Sequence, residues 1–140
     1  MRLDELERDT LLGYLDLLSA RSREDDLTGL TDPRDLVLEL LVDSLAAAPH
    51  LPKAARVVDL GSGAGIPGIP LAVARPDLTF SLVESSHRKT AFLCEAVTRS
   101  GLSGRAQVSC SRAEVLGRER RASFGAAVAR ALAPLPVLLE

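Results

Sequence analysis

Apolar residues in the first part of the chain recur with the spacing of helices. The pattern from Arg2 to about Ala20 predicts an amphipathic helix, which the polar run "RSREDD" then interrupts. Thr31-Asp32-Pro33 predicts the start of a second helix, whose apolar positions continue to about Ala48. Two prolines follow, Pro49 and Pro52, and end it. We therefore expect a helical N-terminal extension over residues 1–52 and a separate core over residues 53–140.

From residue 53 the pattern changes to short apolar runs that alternate with helical segments. Strands are predicted over residues 55–60, 78–84, 106–110 and 125–131. Helices are predicted over residues 69–75 and 87–101, with a loop and short helix over 111–121 and a further helix from 135. Strands alternating with helices indicate βαβ units. The predicted fold class is α/β, with a Rossmann-like sheet of about four parallel strands.

Composition restricts the class of protein. Of the 140 residues, 46% are hydrophobic and 26% charged, which is typical of a soluble globular domain. No apolar run reaches the roughly 20 residues of a membrane span, so we expect no membrane partner. The net charge of −2 means that any RNA contact would use a local basic patch. We expect the two cysteines, Cys94 and Cys110, to be reduced core thiols in a cytoplasmic protein. No spacing of metal ligands is visible.

The stretch "VVDLGSGAGIPGIP" (residues 57–70) combines an apolar strand with a glycine-rich loop. Gly63–Gly68 fits G-x-G-x-x-G, the dinucleotide-binding pattern, and Glu84 follows about 20 residues further along. The same loop also reads as Asp59-x-Gly61-x-Gly63-x-Gly65, the pattern expected for S-adenosylmethionine. Glycines at these positions let the backbone approach a ligand closely.

Two features favour S-adenosylmethionine over a dinucleotide. Pro67 and Pro70 remove N–H donors from the helix turn on which a pyrophosphate would lie. Asp59 would place a carboxylate at the mouth of the loop, where it repels a pyrophosphate but suits an ammonium and a sulfonium. Glu84 is then placed to accept hydrogen bonds from both ribose hydroxyls. Two alternatives stay open: a dinucleotide site, or a tight turn that binds nothing, with Glu84 as a solvated strand end.

Longer motifs carry a resemblance to a known family. The stretch "VVDLGSGAGIPGIPLAVARPDLTFSLVESSHRKTAFL", followed by "SRAEVL" and "VARALAPL", resembles the bacterial small-subunit ribosomal RNA guanine-N7 methyltransferases, also called glucose-inhibited division protein B. The resemblance covers Thr28 to Glu140. It implies a doubly wound methyltransferase sheet with a helical N-terminal extension. It also implies transfer of a methyl group from S-adenosylmethionine to N7 of one guanine in 16S rRNA, with the small ribosomal subunit as partner. We expect the protein to be a monomer.

The resemblance also implies roles for individual residues. Glycines of the loop and Ile66 would line the cofactor, Glu84 would hold the ribose, and residues after the third strand would meet the adenine. Arg130 would lie beside the cofactor, near the incoming base. The expected cofactor-binding residues are Gly61, Gly63, Ile66, Glu84, Ala113, Glu114 and Arg130. No catalytic residue is expected, because guanine N7 carries a free lone pair and no proton.

Several positions depart from the family pattern. Arg21-Ser22 stands where the family has Trp-Asn, Asp26 stands for an Asn, and Leu40 stands for a His. The chain ends at Glu140, where the family continues with further strands. We expect either a piece of a longer enzyme or a shortened one, and a catalytically inactive cofactor-binding module is the alternative. Basic residues that could contact RNA phosphates are His87, Arg88, Lys89, Arg105, Arg112, Arg118, Arg120 and Arg121.

Overall fold

The computed structural model describes residues 1–120 and 122–130, and its first element is helix α1 (Glu5–Asp25). A capping box starts the helix: the Asp4 carboxylate accepts the Glu7 N–H at 2.7 Å, and the Glu7 carboxylate accepts the Asp4 N–H at 2.8 Å. The expected end near residue 20 is wrong. Arg21 pairs with Asp25 one turn on, at 3.0 Å between Nη2 and Oδ2, so the polar run continues the helix instead of breaking it.

The second helical region begins where the sequence predicts. Asp32 caps it by accepting the Arg34 N–H at 2.7 Å, and Pro33 is its first residue. The region comprises α2 (Pro33–Asp35), a π-helical segment (Leu36–Val42), α3 (Asp43–Ala46) and a short 3-10 turn (Ala48–His50). Three of its leucines are buried: Leu36, Leu40 and Leu41.

In the part of the chain that the structure describes, four parallel strands form the sheet and confirm the predicted α/β class. They are β1 (Arg56–Leu60), β2 (Thr79–Glu84), β3 (Ala106–Cys110) and β4 (Ala126–Ala129), in the order β3-β2-β1-β4. The register pairs Leu60 with Val83 and with Ala129. Strands β2 and β3 lie on one side of β1, and β4 lies on the other side. The loop after β1 therefore lies at the point where the strand order reverses, which is where α/β sheets bind ligands.

Helices α4 (Gly68–Ala74), α5 (His87–Arg99) and α6 (Ala113–Glu119) follow the first three strands. The helix predicted from residue 135 lies outside the described residues. Helix α5 buries Phe92 and Leu93, whereas Cys94 on the same helix is exposed, and so is Cys110 on β3. The expectation of core thiols is therefore wrong for both cysteines. Larger apolar side chains fill the inward face of α5, and Cys110 is the last residue of β3, an outer strand of the described sheet.

The N-terminal extension packs onto helices α4 and α5, which themselves contact the sheet. Helix α1 contacts both α4 and α5, and Leu18 belongs to the same buried cluster as Ile69 and Leu93. The Arg75 guanidinium, just after α4, donates to the carbonyls of Ala48 at 2.6 Å and Leu51 at 3.2 Å. The division at residue 52 stays a prediction. Within the described residues, no helix is both long and apolar enough to cross a membrane.

Candidate functional site

The glycine loop after β1 makes a tight, left-handed path. Gly61, Gly63 and Gly65 have φ angles of 67°, 55° and 90°, a region that side chains strongly disfavour. At Gly65 a Cβ would also lie 2.5 Å from Cδ1 of Ile69. The loop is anchored to the next strand, because the Ser62 N–H donates to the Val83 carbonyl at 2.9 Å. The positive φ angles explain why glycine stands at all three positions, and at Gly65 the lack of space is a second reason.

Asp59, the carboxylate that precedes the loop, lies beneath it and is fully buried. Its Oδ2 accepts the N–H of Gly68, the first residue of α4, at 3.1 Å. A Cβ at Gly68 would lie 2.5 Å from the same oxygen, so glycine permits this approach. The expectation that Asp59 stands at the mouth of the loop is therefore wrong: the carboxylate acts on the start of the helix from inside.

The remaining N–H groups at the start of α4 also have acceptors. Ile69 N–H donates to Gly65 O at 2.7 Å and Leu71 N–H to Pro67 O at 3.1 Å, while Pro67 and Pro70 have no N–H. A pyrophosphate binds at a helix start through free N–H groups. This helix start offers none to an incoming anion.

The environment of Asp59 shifts its ionisation. Burial raises the pKa of the Asp59 carboxyl against the opposing effect of the Gly68 N–H, and with a smaller contribution from the neighbouring Glu84 charge the pKa reaches about 7. Its second oxygen, Oδ1, is buried with no hydrogen-bond partner within the described residues. A buried carboxyl with one unpaired oxygen is easily protonated near neutral pH.

Glu84 ends β2 and turns its carboxylate to the loop. Oε2 accepts the Gly63 N–H at 2.8 Å, and Oε1 accepts the Ser86 N–H at 2.9 Å. The residue is only 9% exposed, so it is not a solvated strand end. Each oxygen accepts one hydrogen bond and keeps a second lone pair free.

A cavity of about 390 Å³ lies against the loop. Four of the predicted cofactor-binding residues line it: Gly61, Gly63, Ile66 and Arg130. Glu84 lies behind Gly63. Ala113 and Glu114 occupy the first turn of α6 and are not part of the cavity wall. The structure therefore brings the loop and Arg130 together and leaves the two α6 residues apart from them.

A second wall of the cavity comes from residues that the sequence did not assign to a cofactor site. Lys89 of α5, expected only as a contact to RNA phosphates, contributes a cation. The N-terminal extension contributes Leu27, Thr28, Leu30, Glu39 and Leu40. Their role depends on contacts between distant parts of the chain, which local periodicity does not reveal.

Arg130 connects the two walls. Its Nη1 donates to the backbone carbonyl of Glu39 at 2.8 Å and lies 3.3 Å from Oδ2 of Asp43. The side chain is about one third exposed. The end of β4 is thus held to the π-helical segment across the cavity.

Tyr14 is a further residue at the site that the sequence reasoning missed. Its hydroxyl donates to the Ala64 carbonyl of the glycine loop at 2.6 Å, and the residue is 2% exposed. Burial, together with the negative charge of Asp59, raises the pKa of the Tyr14 hydroxyl, so the hydroxyl stays a donor. The available signal was a lone tyrosine on the apolar face of α1, since a buried tyrosine hydroxyl usually has a partner.

The basic residues proposed for RNA have different surroundings. Arg105 is used inside the protein, where it donates to the carbonyls of Ala72 at 2.9 Å and Leu78 at 3.1 Å. Arg88 donates to Glu24 O at 3.1 Å. The arginines in and beside α6 that the structure describes are all exposed: Arg112, Arg118 and Arg120. Arg121 lies outside the described residues. Across residues 1–120 and 122–130, no group of three or more His, Cys, Asp or Glu side chains is arranged to bind a metal ion.

Comparison with known proteins gives a consistent set of relatives. The sequence model of the GidB family, described as rRNA small subunit methyltransferase G, matches residues 7–140. Proteins named ribosomal RNA small subunit methyltransferase G are similar to this chain. The one from Xanthomonas axonopodis pv. citri is 44% identical, over 93% of this chain and 59% of its own length. That from Moorella thermoacetica is 42% identical, over 91% and 54%. The chain thus spans a little over half the length of these relatives.

Solved structures support the fold. A hypothetical protein of Thermus thermophilus superposes with a TM-score of 0.55 at 26% identity, covering 79% of this chain and 64% of that one. A SAM-dependent methyltransferase of Geobacter sulfurreducens, in complex with S-adenosyl-L-homocysteine, gives a TM-score of 0.52 at 23% identity, covering 72% and 37%. The fold is therefore the Rossmann-like fold of S-adenosylmethionine-dependent methyltransferases.

Proposed function

Because the chain belongs to the rRNA small subunit methyltransferase G family, we propose that it serves S-adenosylmethionine-dependent methylation of guanine N7 in 16S rRNA. The observation that carries the cofactor assignment is the start of α4. The N–H groups of Gly68, Ile69 and Leu71 have acceptors in Asp59, Gly65 and Pro67, which leaves none of the three free for a pyrophosphate. A dinucleotide-dependent oxidoreductase is disfavoured for this reason.

The residues around the cavity fit the proposed cofactor. Gly61 and Gly63 present bare backbone to the cavity, and Glu84 keeps free lone pairs beside Gly63. Gly61, Gly63 and Ile66 would hold the methionine part, and Glu84 would accept the ribose hydroxyls. Ala113 and Glu114, on α6 outside the cavity wall, are the residues proposed to meet the adenine. When bound, S-adenosylmethionine supplies a methyl group activated by a sulfonium.

The acceptor guanine would enter from the wall formed by the N-terminal extension. Leu27, Leu30 and Leu40 make that wall largely apolar, and it lines the same cavity as the glycine loop. Guanine N7 has a free lone pair, so the chain needs no general base there. Its task is to hold the reacting atoms in line and to exclude water, with Arg130 beside the incoming base.

The substrate partner in this proposal is the small ribosomal subunit, bound by a monomer in the cytoplasm. Lys89 at the cavity and the arginines Arg112, Arg118 and Arg120 around α6 are the basic residues available to RNA phosphates. No membrane takes part.

The test is methylation of unmethylated small ribosomal subunits with radiolabelled cofactor, followed by mapping of the label to guanine N7. Labelled N7 supports the full proposal. Cofactor binding without transfer selects the inactive binding module, and label on another atom or on protein rejects the RNA assignment.

A further inference from the structure

Helix α1 reaches the glycine loop through one buried hydroxyl group. Tyr14 Oη lies 2.6 Å from the carbonyl oxygen of Ala64, fifty residues further along the chain. Tyr14 is 2% exposed and Ala64 is 7% exposed, so water has little access to this hydrogen bond. Ala64 lines the cavity, whereas Tyr14 stands behind its wall.

The loop is held at this place from two directions. Ala64 lies between Gly63 and Gly65, whose φ angles are 55° and 90°, so its neighbours have little intrinsic preference for this path. The Gly63 N–H is held by Glu84 at 2.8 Å. The Tyr14 hydroxyl holds the nearby Ala64 carbonyl, so a donor from α1 and an acceptor from β2 together fix the peptide groups around Gly63 and Ala64.

Loss of the hydroxyl would affect the cavity directly. A buried carbonyl without a donor is unfavourable, and the loop would relieve this by turning that peptide group. The face that the loop presents to the cavity would change with it. Helix packing need not change, because the phenyl ring of Tyr14 would still fill its place in the core.

We propose that Tyr14 is a positioning residue, whose hydroxyl holds the glycine loop in the shape that accepts S-adenosylmethionine. This inference rests on the proposed cofactor site and adds a role for the N-terminal extension in cofactor affinity. The extension then contributes in two ways: it forms one wall of the cavity, and it fixes the shape of the glycine loop.

The test compares Tyr14→Phe with Ser22→Ala. Both variants remove one buried hydroxyl from α1, but the Ser22 hydroxyl donates to Leu18 O within the same helix, at 2.6 Å. Calorimetry would give the Kd for S-adenosylhomocysteine, and thermal unfolding would give Tm. We expect Tyr14→Phe to raise Kd between about threefold and tenfold. Ser22→Ala should leave Kd within about twofold of the parent value, even if its Tm falls as far as that of Tyr14→Phe.

Hydrogen exchange of the Gly65 amide gives a second readout that needs no cofactor. This amide donates to Ser62 O at 2.7 Å, and we expect it to exchange faster in Tyr14→Phe than in Ser22→Ala. An unchanged Kd in Tyr14→Phe, or an equal rise in both variants, overturns the proposal. If the parent protein binds no S-adenosylhomocysteine, the proposed cofactor fails, and equal Gly65 exchange in the two variants then overturns the positioning role as well.

Discussion

Oδ2 of Asp59 accepts the backbone N–H of Gly68 at 3.1 Å, which places a carboxylate of the protein itself at the start of helix α4. The same geometry brings β1 and α4 so close that residue 68 has no room for a side chain. The loop shares its glycine pattern with dinucleotide-binding loops, but here the Asp59 carboxyl group lies at the start of the helix. This relationship leads directly to two predictions.

Gly68→Ala should destabilise the fold. The added Cβ would lie 2.5 Å from Asp59 Oδ2 and from Leu82 Cδ2, and relief of this overlap should lower the free energy of unfolding by about 1–3 kcal/mol. Gly13→Ala in α1 is the matched control, since nothing lies within 4 Å of its Cβ position. There the helix should gain up to about 1 kcal/mol. Urea unfolding measures both, and equal effects would contradict the account of Gly68.

The raised pKa of Asp59 should make stability depend on pH. Its pKa is about 7 in the folded protein against an ordinary value of 3.8, so the folded state binds more protons between these values. The Asp59 contribution to stability is therefore lost as pH rises through this window. Asp59→Asn keeps an acceptor for Gly68 and does not titrate. Urea unfolding at pH values near 5 and 8 should show the parent losing stability relative to Asp59→Asn, and a pH-independent difference would reject the assignment.

Glu84→Ala should weaken binding of S-adenosylhomocysteine by about 1–3 kcal/mol, because it removes the ribose acceptors and frees the Gly63 N–H. Glu114→Ala is the comparison: its side chain lies on α6 outside the cavity wall, and any adenine contact there would use backbone groups. Its effect on Kd should be small. Calorimetry measures both, and an unchanged Kd for Glu84→Ala would remove Glu84 from the site.

Arg130→Ala should reduce methyl transfer more than cofactor binding. The change breaks the hydrogen bond to Glu39 O and opens the link between the two cavity walls. We expect kcat/KM on small ribosomal subunits to fall by about tenfold or more through poorer placement of the base. Arg118→Ala, at an exposed position of α6, controls for loss of one positive charge. Equal losses in the two variants would indicate a general charge effect.

Local patterns predicted most of the fold. Apolar runs with turn residues between them marked four strands close to their observed bounds, and Asp32-Pro33 marked a helix start. The end of α1 was missed because the ion pair between Arg21 and Asp25 favours helix within a polar run. Helical spacing alone also misjudged Cys94, because it does not say which of several apolar residues takes the inward face.

The candidate site was predicted in part. The glycine loop and Glu84 stand together because strand ends of a parallel sheet share one edge. The hydroxyl of Tyr14 and the internal use of Arg105 depend on partners far along the chain. The burial of Asp59 depends on the close approach of α4 to β1. Such contacts have no periodicity that the sequence could reveal.

Titration of the protein by calorimetry with S-adenosylmethionine, S-adenosylhomocysteine and NAD tests the central claim most directly. Our account predicts that the first two bind and that NAD does not, because Asp59 and the loop already fill the helix start that a pyrophosphate needs. Binding of NAD, or failure of both adenosyl compounds to bind, would contradict it.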